Sequence, residues 1–252
     1  MSQSNKSHWM KTAAGYAAGL LFGIGLAVSG MTDPARVVGF LDVAGAWDPT
    51  LMFVLGGAVV TTFIGYRLVF KRTAPLLGGV FQLPAKRELD AKLLGGAALF
   101  GIGWGLSGYC PGPAIASIGG LSLPLLAMLV TMVLGWFFAR RFAGDSAWRV
   151  AFLLGLISGP LLLMALGGSL GNVAESPGEV IGAPVGGVGL MLVAGLLVGV
   201  GTGLGSGCTS GHGVCGLARL APRSMAATGM FLLTALVTVY ISRHMLGLGG
   251  GV

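Results

Sequence analysis

The sequence predicts an all-α integral membrane protein of about seven transmembrane helices with additional re-entrant half-helices, arranged as an inverted-repeat hourglass. Three observations carry that prediction. First, 54% of the 252 residues are hydrophobic and only 9% are charged, whereas a soluble domain carries about 25% charged residues. Polar groups are too few to cover a water-facing surface, and mean hydropathy is +0.88. Second, apolar residues come in near-continuous runs such as 51–66, not in the alternation of an outer-membrane strand. Third, one Gly-rich segment recurs along the chain and ends each time in a break.

Seven spans are expected, at 13–29, 51–70, 93–107, 123–139, 148–166, 186–204 and 225–242. A straight span needs about 20 apolar residues, and several of these are shorter and rich in glycine. The N-terminus "MSQSNKSHWMK" is polar and the run after it lacks an A-x-A cleavage site, so a retained first helix is expected.

The formal net charge of +7 does not signal a nucleic-acid partner here, because basic residues gather at alternate span ends. Lys6 and Lys11 precede the first span, and Arg67, Lys71, Arg72, Lys86, Arg87 and Lys92 occupy the end of the second and the loop after it. Arg140, Arg141 and Arg149 follow the fourth, and Arg219 and Arg223 the sixth. Asp33, Asp42, Asp48, Glu175 and Glu179 lie in the complementary loops, while Arg36 and Arg243 depart from the pattern. This alternation predicts a multi-pass protein of the inner (plasma) membrane with a cytoplasmic N-terminus.

Internal repetition is informative. "LFGIGLAVSGMTDPARVVGFL" (21–41) resembles "LFGIGWGLSGYCPGPAIASIG" (99–119), and both resemble "LVGVGTGLGSGCTSGHGVCGL" (197–217); a weaker copy is "LLGLISGPLLL" (153–163). Each of the first three copies has a Gly-rich helix, a Ser/Gly break and then residues suited to a helix start: Thr32-Asp33-Pro34, Pro111-Gly112-Pro113 and Thr209-Ser210. The second copy follows a span running outward and the third a span running inward, so their short helices are expected to enter from opposite faces. Broken helices in corresponding positions are the sequence pointer to a transport site. The glycines before the breaks also suit close helix packing. Irregular backbone at membrane depth, by contrast, is tolerated only within protein or around a cavity.

Helix N-termini carry partial positive charge and free N–H groups, so two of them meeting near the midplane would attract an anion. No carboxylate lies within the spans, which disfavours a proton relay of the Asp/Glu kind. All three cysteines, Cys110, Cys208 and Cys215, stand at or just after a break. A buried free cysteine is often only a small hydrophobe, yet this placement points to a pathway. The candidate pathway comprises Gly108, Cys110, Pro111 and Gly112 in one break, and Ser206, Gly207, Cys208, Thr209, Ser210, Gly211, His212 and Cys215 in the other. Cys208-x6-Cys215 is not zinc spacing, so neither a metal nor another cofactor is expected; a soft metal with His212 and a Cys208–Cys215 disulfide are the weaker alternatives. Thiols are soft and polarizable, which suits an anion carrying a soft sulfur, such as thiosulfate. His212 reads either as an aid to anion attraction or as a helix-capping, backbone-bonded ring. Arg219 and Arg223 read as positive-inside anchors or as anion lures at the cytoplasmic mouth.

"GIGWGLSGYCPGPAIASIG" and "GTGLGSGCTSGHGVCGLARLAPRS" resemble the signature segments of the YeeE/YedE sulfur-transport family, and the resemblance covers nearly the whole chain. It implies a thiosulfate transporter with an hourglass form, in which cysteines along the axis pass the ion by S–H contacts. Cys110 matches the cysteine of "GYCPGP", and Cys208 and Cys215 the two of "GCTSGHGVCG". The chain is similar to a fusion of that family's paired small subunits, giving a first half at 1–120 and a second at 121–252 within one membrane domain. The family also implies a cytoplasmic sulfur-carrier protein as partner. The first repeat departs from the pattern: Met31-Thr32 stands where the second has Tyr109-Cys110, without a thiol. A channel for a small neutral solute or a hard anion, and a membrane thiol enzyme accepting persulfide sulfur at a helix N-terminus, are the competing functions.

Overall fold

The computed structural model describes residues 3–76, 80–81, 88–139, 154–158, 160 and 185–247, with side chains from residue 9 onward. Of the span expected at 148–166, only 154–158 and 160 fall within the described residues, where 154–158 are helical. The remaining elements are α1 (Gln3–Val28), α2 (Pro34–Leu41), α3 (Thr50–Val69), α4 (Ala91–Ser107), α5 (Pro111–Ala116) with a 3₁₀ turn Ser117–Gly120, α6 (Leu123–Ala139), α7 (Val188–Gly205), a π-helical turn Thr209–Gly216, and α8 (Pro222–Tyr240) extended by a π-helical turn Ile241–Met245. No strand occurs among the described residues. Among the described residues, four helical segments are long and apolar enough to cross a membrane: Trp9–Val28, Thr50–Val69, Val188–Gly205 and Pro222–Met245. A fifth is formed if α4 and the segment Pro111–Gly120, bent by 46° at the break, count as one; the apolar stretch Leu123–Phe138 is shorter. The chain is thus an all-α membrane protein.

Local chemistry sets the helix starts. Asp33 takes extended backbone and its carboxylate accepts from Ala35 N at 3.0 Å, with Pro34 in the first turn of α2. Asp90 caps α4 by accepting from Leu93 N at 2.8 Å. Ahead of α3, the Thr50 hydroxyl and amide both donate to Asp48, which holds that carboxyl below the usual carboxylate range.

Packing depends on glycine. The first glycine of the repeated L-x-G segment is Gly23, Gly101, Gly155 or Gly199 in the four copies, and a Cβ at any of them would overlap a carbonyl of a neighbouring helix: Leu156, Phe231, Tyr16 and Met132 respectively. This is close backbone approach through small residues, the usual means of membrane helix association. α4 lies between α7 and α8. Its Gly96 and Gly103 face α7, at Gly201/Gly205 and Ala194/Val198, while Gly101 and Gly105 face α8 at Phe231 and Ala235. On its other side α7 presents Gly195 and Gly199 to Met128 and Met132 of α6. Partners of Gly96 and Gly103 run in opposite sequence order, so α4 and α7 are antiparallel, while α4 and α8 run parallel.

Charged contacts tie the helix ends. Arg223, at the start of α8, bridges to the α4 cap Asp90 at 3.4 Å and donates to the Glu88 carbonyl. The Arg219 guanidinium lies 6.0 Å over the Tyr66 ring at the end of α3. The opposite end of the bundle holds the Asp42–His244 pair at 2.7 Å. Arg67, Lys92, Arg219 and Arg223 therefore gather at one end, as alternate spans require.

Adding volume at a helix crossing separates backbones, so Gly201→Val is expected to cost about 1–3 kcal/mol or more and to lower the melting temperature of detergent-purified protein. Gly57→Ala, on α3 with no described neighbour within 4 Å, is expected to leave it unchanged or raise it. Equal losses for the two variants contradict the packing account.

Candidate functional site

The second break is built by Ser107 and Gly108. Gly108 N donates to Trp104 O at 2.8 Å and takes φ +70, ending α4. The Ser107 hydroxyl donates to Gly103 O at 2.9 Å and accepts from Tyr109 N at 3.1 Å, satisfying the turned backbone. Glycine is required at 108: its φ is left-handed and a Cβ would sit 2.6 Å from Pro34 O of the first repeat. Tyr109 is fully buried, and Cys110 follows in extended backbone (φ −79, ψ 158) as the N-cap of α5, with Pro111 in its first turn. The first break has the same form, with Gly30 at φ +70 and Ser29 donating to Leu26 O. It packs beside the second, for Ser117 donates to Thr32 O at 3.2 Å.

In the third break Ser206 takes the left-handed position (φ 59), and Cys208 is extended (φ −127, ψ −167) as the N-cap of the π-helical turn. Because α4 and α7 are antiparallel, the second and third breaks leave opposite ends of the helix pair. Even so, the Thr209 hydroxyl donates to Cys110 Sγ at 3.0 Å across 99 positions of sequence. Residues 108–110 and 206–208 must both turn back along the bundle, so the two short helices begin where those segments meet. Cys208 directly precedes Thr209, and its Sγ is 3.2 Å from Ser210 Oγ.

The backbone donors at this junction are unequal. Pro111 and Pro113 have no N–H and Ala114 N bonds Cys110 O at 2.9 Å, so Gly112 alone supplies an uncommitted amide in the first turn of α5. In the π-helical turn His212 N bonds Cys208 O at 2.8 Å, which leaves the amides of Thr209, Ser210 and Gly211. Ser210 and Gly211 are exposed, while Gly112, Cys110 and Cys208 are half-buried.

His212 is tied into the scaffold. The Gly205 carbonyl can only accept, so Nε2 carries the proton and donates to it at 3.0 Å; Nδ1 then accepts from the Ser224 hydroxyl at 3.1 Å. A neutral ring meets both demands. Gly207 must be glycine because a Cβ would lie 2.6 Å from the imidazole. Cys215 stands apart from the other two thiols, beside the Tyr66 hydroxyl, with its carbonyl accepting from Arg219 Nε at 3.2 Å. All three cysteines are free, and the described residues hold no group of three metal-binding side chains. Sequence reasoning missed Ser224 and Tyr66. A serine in the first turn of a helix reads as a cap and a tyrosine at a span end as an interfacial anchor, so neither carried a distinguishing signal.

Residues 10–147 match a family described as a family of unknown function, DUF6691. The match contains the first two breaks, including Cys110, and ends before Cys208. A protein of Xylella fastidiosa strain 9a5c named "Probable transporter" is 50% identical over 120 residues, covering 47% of this chain and 82% of that protein. A protein of the same name from strain Temecula1 / ATCC 700964 is 50% identical over 123 residues, covering 47% and 83%. A second from that strain is 41% identical over 97 residues, covering 38% and 64%.

The ring contacts predict that His212→Ala lowers stability by about 1–3 kcal/mol, since it leaves the Gly205 carbonyl and Ser224 hydroxyl unpaired. Ser224→Ala is expected to cost less, because the ring keeps its bond to Gly205. Thermal unfolding of the purified variants checks this order, and an unchanged melting temperature for His212→Ala contradicts it.

Proposed function

The chain belongs to the DUF6691 family, and from that premise we propose that it is a membrane transporter taking up thiosulfate or a related sulfur-containing anion. One observation carries the reading: the Thr209–Cys110 bond at 3.0 Å, which joins two cysteine-capped breaks from opposite ends of an antiparallel helix pair. Helix starts that meet in the interior concentrate partial positive charge without a lysine or arginine in either break. That suits an ion that must be held weakly enough to leave. Free, half-buried thiols at the same point add soft S–H contacts matched to a sulfur-bearing ion.

Further support comes from two sources. The Xylella fastidiosa relatives bear the name probable transporter, and the motifs around Cys110 and Cys208 resemble those of the YeeE/YedE family. In this reading the pathway runs past Gly108, Cys110, Pro111 and Gly112, then Ser206 to Gly211, with His212 holding the inner break in shape and Cys215 receiving the ion on the inner side beside Tyr66. The basic end faces the cytoplasm of an inner-membrane protein, where a sulfur-carrier protein takes the product. The Cys110 thiol accepts from the Thr209 hydroxyl, a soft contact that suits the passage of an ion.

Expression in a sulfur auxotroph is expected to restore growth on thiosulfate. Cys110→Ser and Cys208→Ser are each expected to cut uptake of labelled thiosulfate at least about tenfold, the scale of one or two lost contacts to a charged ligand. Cys215→Ser is expected to change the maximal rate and leave KM unaltered. Full uptake by both the Cys110 and Cys208 variants overturns the thiol pathway, and sulfur stably added to a cysteine, seen by mass spectrometry, replaces transport with enzyme chemistry.

A further inference from the structure

Among the described residues, two buried polar side-chain atoms have no hydrogen-bond partner: Trp104 Nε1 and Thr228 Oγ1. Trp104 is 1% exposed and Thr228 9%. Buried donors in folded proteins are nearly always paired, and each exception calls for a reason. The threonine is unusual in its own setting. Thr131, Thr202, Thr234 and Thr238 all donate to the carbonyl four residues back, the ordinary resting place of a hydroxyl on an apolar helix. Thr228 does not.

The two orphans flank one aromatic cluster, Trp104 from α4 and Thr228 from α8. On α4, Gly103 turns toward α7 and Gly105 toward α8, so Trp104 between them projects toward the space between α7 and α8. Its ring meets Phe231 of α8 edge to face, with centroids 5.7 Å apart at 78°, and stacks on Phe100 at 6.3 Å. Thr228 precedes Phe231 by one turn and shares its face of α8. The Phe231 ring also closes on the π-helical turn, since a Cβ at Gly213 would lie 3.5 Å from Phe231 Cζ. The aromatic cluster is therefore bounded by α4 and α8 and lies against the turn that Cys208 caps. A contact of the indole N–H with an aromatic face is a second-order interaction and no substitute for a full hydrogen bond.

We infer that the Trp104 indole N–H and the Thr228 hydroxyl are substrate contacts, donating hydrogen bonds to the oxygens of the sulfur-bearing anion as it passes the paired breaks. This rests on the anion-transport reading above and deepens it. Thiols suit the soft sulfur of such an ion, whereas its hard oxygens call for N–H and O–H donors. A neutral indole and a hydroxyl provide these without a fixed charge that would trap the ion.

The test uses the full chain in lipid nanodiscs and liposomes, with sodium thiosulfate as probe. Trp104→Phe keeps an aromatic ring and removes the N–H; Thr228→Val keeps the shape and removes the hydroxyl. Each is expected to raise KM for thiosulfate about tenfold, with the melting temperature of the substrate-free protein held or raised, because an unpaired buried donor has been removed. In ¹⁵N-indole spectra of the wild type, the chain's five tryptophans give separate signals, and the one missing from Trp104→Phe is expected to move on adding thiosulfate. An unmoved Trp104 signal and unaltered KM values in a protein that does transport thiosulfate overturn this inference and leave the transport reading intact. A wild type that neither binds nor carries thiosulfate overturns the reading beneath it, and the inference with it.

Discussion

The contact on which the rest of this molecule depends is a glycine pressed against a carbonyl oxygen of the next helix. It recurs at the same place in all four copies of the repeat, at Gly23, Gly101, Gly155 and Gly199. Between membrane helices lipid offers no hydrophobic reward for association, so attraction has to come from close packing over many atoms. Glycine at the crossing allows that distance. The isolated helix is weakened in return, but a span in lipid keeps its backbone bonds because it has no other partners for them. With α4 held between α7 and α8 in this way, the breaks at their ends have fixed starting points, and two segments leaving opposite ends of the bundle arrive at one place.

Polar groups in this interior fall into two sets. One keeps the irregular backbone satisfied: Ser107 on the turned chain at Tyr109, His212 between Gly205 and Ser224, and Asp90 at the head of α4. These are structural necessities of breaking a helix where water is scarce. The other set is left uncommitted or softly committed: Cys110 and Cys208, the amides of Gly112, Thr209, Ser210 and Gly211 at the junction, and the two orphan donors within α4 and α8. The division separates what shapes a pathway from what an ion passing through it would touch.

Much of this was legible in the sequence, because the signals are local. Charge depletion and unbroken apolar runs give helices in a bilayer. Ser/Gly followed by Pro, Thr or Asp marks a stop and a restart, and the left-handed residues Gly30, Gly108 and Ser206 fall within those words. Opposite approach of the second and third breaks could be inferred from the placement of arginines and lysines alone. What could not be read was pairing at a distance. Nothing near His212 announces Ser224, so the sequence offers both a backbone-bonded ring and an aid to anion attraction, and the ring's two partners in the fold match the first. Trp104, four residues after Phe100 and on a Gly-rich face, looks like any core aromatic; its significance is a missing partner, which only coordinates reveal. The prolines at 111 and 113 mark a helix start in the sequence, and the junction shows their cost, two first-turn positions without an N–H.

Those prolines have a further consequence. Two helix starts brought face to face would form a well centred between them, equally deep from either side. Here α5 contributes one uncommitted amide and the π-helical turn contributes three, so the well is lopsided. On the proposed reading, an anion drawn into it would rest not at the midpoint but nearer the Thr209–Gly211 amides. The waist of such a pathway and its binding seat are then different places, and affinity can be tuned at the seat without widening or narrowing the waist.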